Sequence, residues 1–163
     1  MISQLDHNLL LFQTMAGLIE NKKVFFNYEI LERFEAGIEL QGLEVKSLRA
    51  GQGSLEGTHV TVRGGEAYII GMNIPPYQPK NAPPGYEPKR NRRLLLTKQE
   101  ISTLAGIESK RGLTIVPISV YNKGRKLKVT VASVRGKKKF DKRESIKKRE
   151  SDREIRRTLK NEV

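Results

Sequence analysis

The sequence predicts a mainly β fold, a small closed antiparallel OB-like barrel with short helices and a basic C-terminal tail. Residues 24–134 read as six or seven short strands separated by turn signals. Such short, regularly spaced strands favour a closed barrel, because closure removes exposed strand edges. The 163 residues carry a net charge of +13, of which residues 135–163 contribute +7. We therefore expect a folded body with a separate cationic tail.

Three regions follow from this composition. Residues 1–21 contain no Lys or Arg and form a leader, residues 22–134 form the barrel, and residues 135–163 form the tail. The leader lacks the basic start of a secretory signal and the arginines of a transit peptide. Two interpretations stay open for it: a frayed helix, or an extension that precedes an alternative start at Met15.

The body begins with two predicted strands, Tyr28–Phe34 and Ile38–Leu40, on either side of Glu35-Ala36-Gly37. In Leu43–Ala50 the apolar residues recur at helical spacing and Gly51 follows. Glycine after a periodic apolar segment is a common helix stop, so this segment predicts a short helix.

Two hairpins are predicted further along the chain. His59–Ile70 alternates into and out of Gly64-Gly65, and glycine supplies the positive φ of a two-residue hairpin turn. Leu113–Tyr121 and Lys126–Val134 also carry strand patterns, and the short loop 122–125 joins them.

Residues 75–93 hold six of the seven prolines, and the sequence therefore predicts a loop there. Thr97 with Glu100 three residues later is a capping-box pattern. The helix that starts there ends near Gly106 or continues towards Gly112.

The tail has no Gly or Pro from Asp141 onward, and Glu144 with Lys148 is typical of its helix-favouring charge pairs. Burial of its few apolar residues cannot offset the entropic cost of ordering the backbone, which is about 1–2 kcal/mol per residue. We expect this tail to be disordered when free and helical on a polyanion.

Catalytic and metal-binding patterns are missing from the sequence. There is no Cys, the two histidines (His7 and His59) are isolated, and the acidic residues form no ligand cluster. Gly51–Gly57 is one residue too long for a dinucleotide fingerprint. No apolar run approaches the roughly 20 residues that span a bilayer. We therefore expect a binding protein that is not an enzyme and has no cofactor, no metal and no membrane partner.

The excess positive charge points to a polyanion, either a nucleic acid or an acidic membrane surface. Basic runs at 89–93, 137–139, 142–143 and 147–149 favour the nucleic acid, since such runs bind phosphates. Tyr77, Tyr86 and Phe140 lie near these runs and could stack on bases. The alternative for the two tyrosines is a packed proline-rich loop.

Several long strings resemble one family. These are FEAGIELQGLEVKSLRAG, GEAYIIGMNIPPY, RRLLLTKQEI and RGKKKFDKRESIKKRE. Together they are similar to SmpB, the bacterial tmRNA-binding (SsrA-binding) family, over about residues 20–160. The resemblance implies a protein that binds the tRNA-like domain of tmRNA and delivers it to ribosomes stalled without a stop codon. It also implies that the tail enters the empty mRNA channel of the small ribosomal subunit.

The resemblance also implies site residues. The tmRNA-contacting positions of the family match Glu35, Leu95 and Lys128, with Arg49 added. The tail positions at the decoding centre and in the mRNA channel match Gly136, Lys137, Lys138, Phe140, Asp141, Lys142, Arg143 and Leu159. Phe140 stands where the family often has His or Tyr, and it can stack but cannot hydrogen-bond.

Small-subunit ribosomal RNA, tmRNA and the ribosome are thus the expected partners of a cytoplasmic protein that is a monomer when free. Two other functions stay open from the residues alone. One is a general OB-like RNA chaperone or ribosome-bound structural protein, and the other is a metal-free nuclease.

Overall fold

In a computed structural model, which describes residues 17–161, the chain forms one antiparallel seven-stranded sheet with helices around it. The strands are β1 (Ile19–Glu20), β2 (Tyr28–Ile38), β3 (His59–Arg63), β4 (Glu66–Ile70), β5 (Arg92–Leu95), β6 (Leu113–Lys123) and β7 (Lys126–Gly136). The helices are α1 (Lys22–Asn27), α2 (Gly42–Arg49), α3 (Lys98–Ser109) and α4 (Lys139–Asn161), with a 3₁₀ turn at Pro79–Asn81. The strand order is β1-β6-β7-β2-β5-β4-β3.

The prediction of a closed OB-like barrel is wrong, because the sheet is open and β1 and β3 are its two edges. The outer edge of β3 is occupied by a side chain of α3 where a closing strand would lie. Glu108 accepts hydrogen bonds from the Val62 backbone N–H at 3.0 Å and from the Thr61 hydroxyl at 2.6 Å. The edge is therefore covered without closure, which is a common way to protect an edge strand.

Strand β2 is continuous where the sequence analysis places two strands around Glu35-Ala36-Gly37. Gly37 is an interior strand residue that pairs with Leu95 on one side and Lys128 on the other. A Cβ at Gly37 would lie 3.0 Å from Leu95 Cβ, so the glycine leaves room for that neighbour.

The local predictions around turns and caps are confirmed. Gly64 and Gly65 have φ of 58° and 75° between β3 and β4, and Gly124 turns the β6–β7 hairpin with φ of 63°. Thr97 caps α3 by accepting from the Glu100 N–H at 3.2 Å, while Glu100 accepts from the Thr97 N–H at 2.8 Å. Helix α3 continues past Gly106 and ends at Ser109.

The body extends further towards the N-terminus than the sequence analysis places it. Strand β1 pairs with β6, and Ile19 belongs to the core. Asn21 is buried, and its amide donates to Leu55 O at 2.9 Å. Helix α1 follows directly, although the sequence analysis does not predict it. The interpretations of the earlier leader, including an alternative start at Met15, lie outside the described residues.

Two apolar clusters hold the sheet together. The larger cluster includes Leu48 of α2 and Leu104 of α3, packed on the inner side chains of the strands. The smaller cluster lies beneath α1 and consists of Val24, Val116, Ile118, Ala132 and Val134. Both faces of β6 and β7 are therefore covered, which explains why these strands are rich in buried residues.

The tail forms one helix of 23 residues, α4. A helical tail is the form expected on a polyanion, and disorder of the free tail stays a prediction. Asp141 stabilises its start, since its carboxylate accepts from the Lys138 N–H at 3.2 Å. Glu144 and Lys148, one of the expected charge pairs, do not form an ion pair among the described residues of the tail.

Candidate nucleic-acid interface

The central feature of the exposed sheet surface is a row of residues across three adjacent strands. Gly37 of β2 lies directly opposite Lys128 of β7 and directly opposite Leu95 of β5. Directly opposite residues in antiparallel strands point to the same face of the sheet. Leu95 is 52% exposed, which is unusual for a leucine on a strand, and its side chain covers Gly37, which is itself buried. The row therefore offers an exposed apolar side chain and a cation on the two strands that flank β2.

Glu35 lies two residues before Gly37 and faces the same side of the sheet. Its carboxylate accepts a hydrogen bond from the Tyr121 hydroxyl and one from Lys123 Nζ at 2.6 Å. Burial alone would raise the pKa of Glu35, but the hydrogen bonds from Lys123 and Tyr121 outweigh it and hold the pKa below 4.5. Glu35 is therefore an ionised hydrogen-bond acceptor at neutral pH.

A shallow depression of about 520 Å³ lies on this face of the sheet. Glu35, Leu95 and Lys128 all contribute to its wall, together with Arg93 and Glu66. The Arg93 guanidinium lies between two carboxylates, with Nε 2.9 Å from Glu39 Oε2 and Nη1 2.8 Å from Glu66 Oε1. The depression thus combines cations, ionised acceptors and an exposed apolar side chain, and these are the groups that contact phosphates and bases.

Arg49, the fourth residue expected on the body, does not line this depression. It lies in the last turn of α2, and its Nη2 donates to Arg125 O at 3.0 Å. This bond ties α2 to the β6–β7 hairpin. The structure therefore brings three of the four expected residues together and places Arg49 at a separate position.

The basic run at 89–93 is not a free phosphate-binding patch. Arg92 is fully buried, with Nη2 2.8 Å from Glu44 Oε1, and Arg90 Nη2 lies 2.6 Å from Glu44 Oε2. Arg93 is paired as described above. Burial would raise the pKa of Glu44, but bonds from Arg90, the Gln41 N–H and Arg92 lower it below 4.5. All three arginines in this run therefore serve internal contacts.

The expected tail residues lie at the junction of body and tail and along α4. Gly136 ends β7, and Lys137 binds back to α1, since its N–H donates to Asn27 O at 2.9 Å and its Nζ to Phe25 O at 3.0 Å. Phe140 is 67% exposed. The other expected positions are Lys138 before α4, Asp141, Lys142 and Arg143 in its first two turns, and Leu159 near its end.

Sequence reasoning missed Tyr121 and Lys123, which hold Glu35. One signal could have found them, because alternation in β6 places both on one face at the end of a strand that leads into a hairpin. Among the described residues, no three acidic or histidine side chains gather as a metal site would require. No helix among residues 17–161 is both long and apolar enough to cross a membrane.

The cation-lined depression on the open sheet and the basic helical extension are features of a small nucleic-acid-binding protein. The model of the SmpB protein family matches residues 18–161, which include both body and tail. The chain belongs to the SmpB family, a family of RNA-binding proteins.

Curated relatives agree with this assignment over most of their length. The SsrA-binding protein of Oleidesulfovibrio alaskensis is 48% identical, and the match covers 88% of this chain and 92% of the relative. The SsrA-binding protein of Sulfurihydrogenibium sp. is 47% identical, with 88% and 93% covered. A chain of the solved structure described as "tmRNA-SmpB: a journey to the center of the bacterial ribosome" is 42% identical. It superposes with a TM-score of 0.65 over 76% of this chain and 87% of that chain.

Proposed function

We propose that this protein binds the tRNA-like domain of tmRNA and delivers it to ribosomes stalled without a stop codon, in trans-translation. The observation that carries this proposal is the family match over residues 18–161, which includes the folded body and the basic helix together. The names of the relatives and of the solved structure support the same partners, tmRNA and the ribosome.

The body is proposed to hold tmRNA through the depression lined by Glu35, Leu95 and Lys128. Lys128 would contact a phosphate, and exposed Leu95 would contact a base or a ribose. Glu35 would accept a hydrogen bond from an N–H group of a base. A phosphate has no N–H donor and is repelled by an ionised carboxylate, so this contact would be specific to bases. We add Arg49 as a phosphate contact beside the β6–β7 hairpin.

The tail is proposed to enter the decoding centre and the empty mRNA channel. Nearly all side chains of residues 136–160 are exposed, and these residues carry most of the basic runs that are not paired internally. Lys137, Lys138, Lys142 and Arg143 would bind ribosomal RNA phosphates, Phe140 would stack, and Leu159 would make an apolar contact. The proposed role is binding without catalysis, by a cytoplasmic protein that is a monomer when free.

Two variants separate the roles of body and tail. Lys128→Ala in the full chain should weaken binding to tmRNA in a gel shift, because a phosphate contact is lost. A chain that ends after Lys138 should keep tmRNA binding, since β7 and its contacts with α1 are intact, and should lose peptidyl transfer to alanyl-tmRNA. Transfer by the truncated chain would contradict the proposed role of the tail.

The matched control for Lys128→Ala is Lys98→Ala, which removes one exposed cation at the start of α3, outside the depression. Competition between the tRNA-like domain and random RNA of equal length, at about 0.15 M salt, tests specificity because low salt hides it. Equal binding to both RNAs would favour a general RNA chaperone and would contradict the proposed function.

A further inference from the structure

Tyr121 contacts Glu35 from inside the protein. Its side chain is only 3% exposed, and its hydroxyl donates to Glu35 Oε2. On the other oxygen, Lys123 Nζ lies 2.6 Å from Glu35 Oε1. Both carboxylate oxygens are therefore held by β6, while the Glu35 side chain keeps 27% of its surface exposed on the wall of the depression.

This arrangement determines what Glu35 can bind. An ionised carboxylate accepts hydrogen bonds and donates none, so it repels a phosphate and selects an N–H donor of a base. A flexible glutamate would pay conformational entropy to be ordered on binding, whereas one already held by two donors has lost that freedom beforehand. Exposed Leu95 in the neighbouring row suits the apolar face of such a base.

We propose that Tyr121 is a positioning residue for RNA recognition, which with Lys123 fixes the Glu35 carboxylate as an acceptor for nucleobase N–H groups. This inference rests on the proposed function. Tyr121 is too buried to reach the RNA, so its whole effect on recognition passes through Glu35. Lys123 is exposed and can also meet a phosphate, and the test therefore centres on Tyr121.

The charged surroundings of Glu35 support the geometry. Lys123 of β6 and Lys128 of β7 face it, and Arg93 and Glu66 line the same depression together with Glu100 of α3. Burial raises the pKa of Tyr121 and the hydrogen bond to Glu35 raises it further, so the hydroxyl keeps its proton and remains a donor at neutral and basic pH. Removing that hydroxyl should move the pKa of Glu35 up towards 4.5.

The experiment is a double-mutant cycle on binding of the tRNA-like domain of tmRNA at about 0.15 M salt. Tyr121→Phe should weaken binding roughly tenfold, the scale of one charge-assisted hydrogen bond. In the Glu35→Ala background, the same change should have less than about a twofold effect, because Ala leaves Tyr121 no acceptor to position, whereas Gln would keep one oxygen. Binding to a random duplex should be unchanged by Tyr121→Phe, since that binding uses phosphates.

Tyr86→Phe is the matched control. It removes a phenolic hydroxyl that donates to the main-chain oxygen of Ile74 at 2.8 Å and does not hold Glu35, and it should leave RNA binding unchanged. A pH series adds a readout that a structural role would not move. In Tyr121→Phe the loss of binding on acidification should begin at a higher pH, and in Glu35→Gln this step should be missing.

An equal loss from Tyr121→Phe in both backgrounds, or no loss, would overturn the inference. If Tyr121→Phe does not fold, Lys123→Met removes the other hydrogen bond at an exposed position, and its effect must be smaller in the Glu35→Ala background than in wild type, because only a phosphate contact is then lost. A wild-type protein without preference for the tRNA-like domain would defeat the proposed function itself. A retained preference without coupling between Tyr121 and Glu35 would defeat this inference alone.

Discussion

Glu44 and Arg92 form an ion pair in which neither side chain is exposed to solvent, with Arg92 Nη2 2.8 Å from Glu44 Oε1. Arg92 Nε donates to the same Glu44 oxygen at 3.0 Å, and the Nη atoms also donate to the main-chain oxygens of Met72 at 2.7 Å, Pro88 at 2.9 Å and Arg90 at 3.1 Å. One arginine thus connects α2, strand β5 and the proline-rich segment. Every polar atom of this buried pair is hydrogen-bonded, as buried charge requires.

Replacing Arg92 should destabilise the fold strongly. Arg92→Met leaves Glu44 with Arg90 as its charged partner and leaves three main-chain oxygens, those of Met72, Pro88 and Arg90, without this donor. We expect a loss of about 3–5 kcal/mol in the free energy of unfolding, measured by urea denaturation. Arg93→Ala is the control, since it removes an exposed arginine and should cost about 0–1 kcal/mol. Similar losses in the two variants would contradict the importance of burial.

The pKa of Glu44 predicts acid sensitivity of the fold. The folded chain holds this carboxyl below its ordinary pKa of 4.5, so the unfolded chain takes up the proton first as the pH falls. The stabilising contribution is complete above about pH 4.5 and is lost as the pH falls towards the folded pKa. Urea unfolding at several pH values should show a shallower acid slope for Glu44→Gln than for wild type. Equal slopes would show that other carboxyl groups cause the loss of folding stability at low pH.

The basic run at 89–93 shows where sequence reasoning succeeds and where it stops. Charge counts identify a cationic segment, but Glu44 lies 48 positions from Arg92, and only the fold brings the two together. Hairpin turns and helix caps are local, so Gly64-Gly65 and Thr97 could be predicted from the sequence. Closure of a sheet is a property of its two edges, and the sequence does not reveal that Glu108 occupies one of them.

The candidate site divides in the same way. Resemblance to the family selected Glu35, Leu95 and Lys128, and cross-strand register explains why these three are neighbours. Tyr121 lies 86 positions from Glu35, and a tyrosine in an apolar strand gives no sign of its partner. The neighbours of a residue across a sheet depend on strand order, which single-strand patterns do not determine.

Glu108 should keep β3 from pairing with a second copy of the chain. Its carboxylate bonds the Val62 N–H and the Thr61 hydroxyl and lies 3.6 Å from Arg63 Nη1. Glu108→Ala would leave an unpaired strand edge, and such edges promote association between chains. We expect light scattering to show concentration-dependent dimers for this variant under conditions where the wild type is a monomer.

The control for Glu108→Ala is Glu56→Ala. It also removes one negative charge. Glu56 lies in the loop before β3 and forms an exposed ion pair with Lys23 of α1. If both variants associate alike, net charge and not the strand edge is responsible. If Glu108→Ala stays a monomer, the Glu108 carboxylate is not what prevents β3 from pairing with another chain.

Two adjacent phenylalanines of α1 make different contacts and allow a matched test of how α4 is attached. The Arg149 guanidinium lies 5.8 Å from the centre of the Phe26 ring, whereas the Phe25 ring lies 6.0 Å from Arg33 of β2. A cation–π contact at an exposed site is worth about 0.5–1 kcal/mol. Phe26→Ala should therefore speed hydrogen exchange of amides around Arg149 by roughly two- to fivefold, because local opening of α4 becomes easier.

Phe25→Ala removes the same ring one position earlier and should leave exchange in α4 unchanged, because its cation belongs to β2. Neither change should alter exchange in β6 and β7, where the amides are covered on both faces of the sheet. If the two variants speed exchange in α4 equally, α1 as a whole supports the tail and the Phe26–Arg149 contact has no separate role. If neither does, α4 is held at its root alone, through Lys137 and its two bonds to α1.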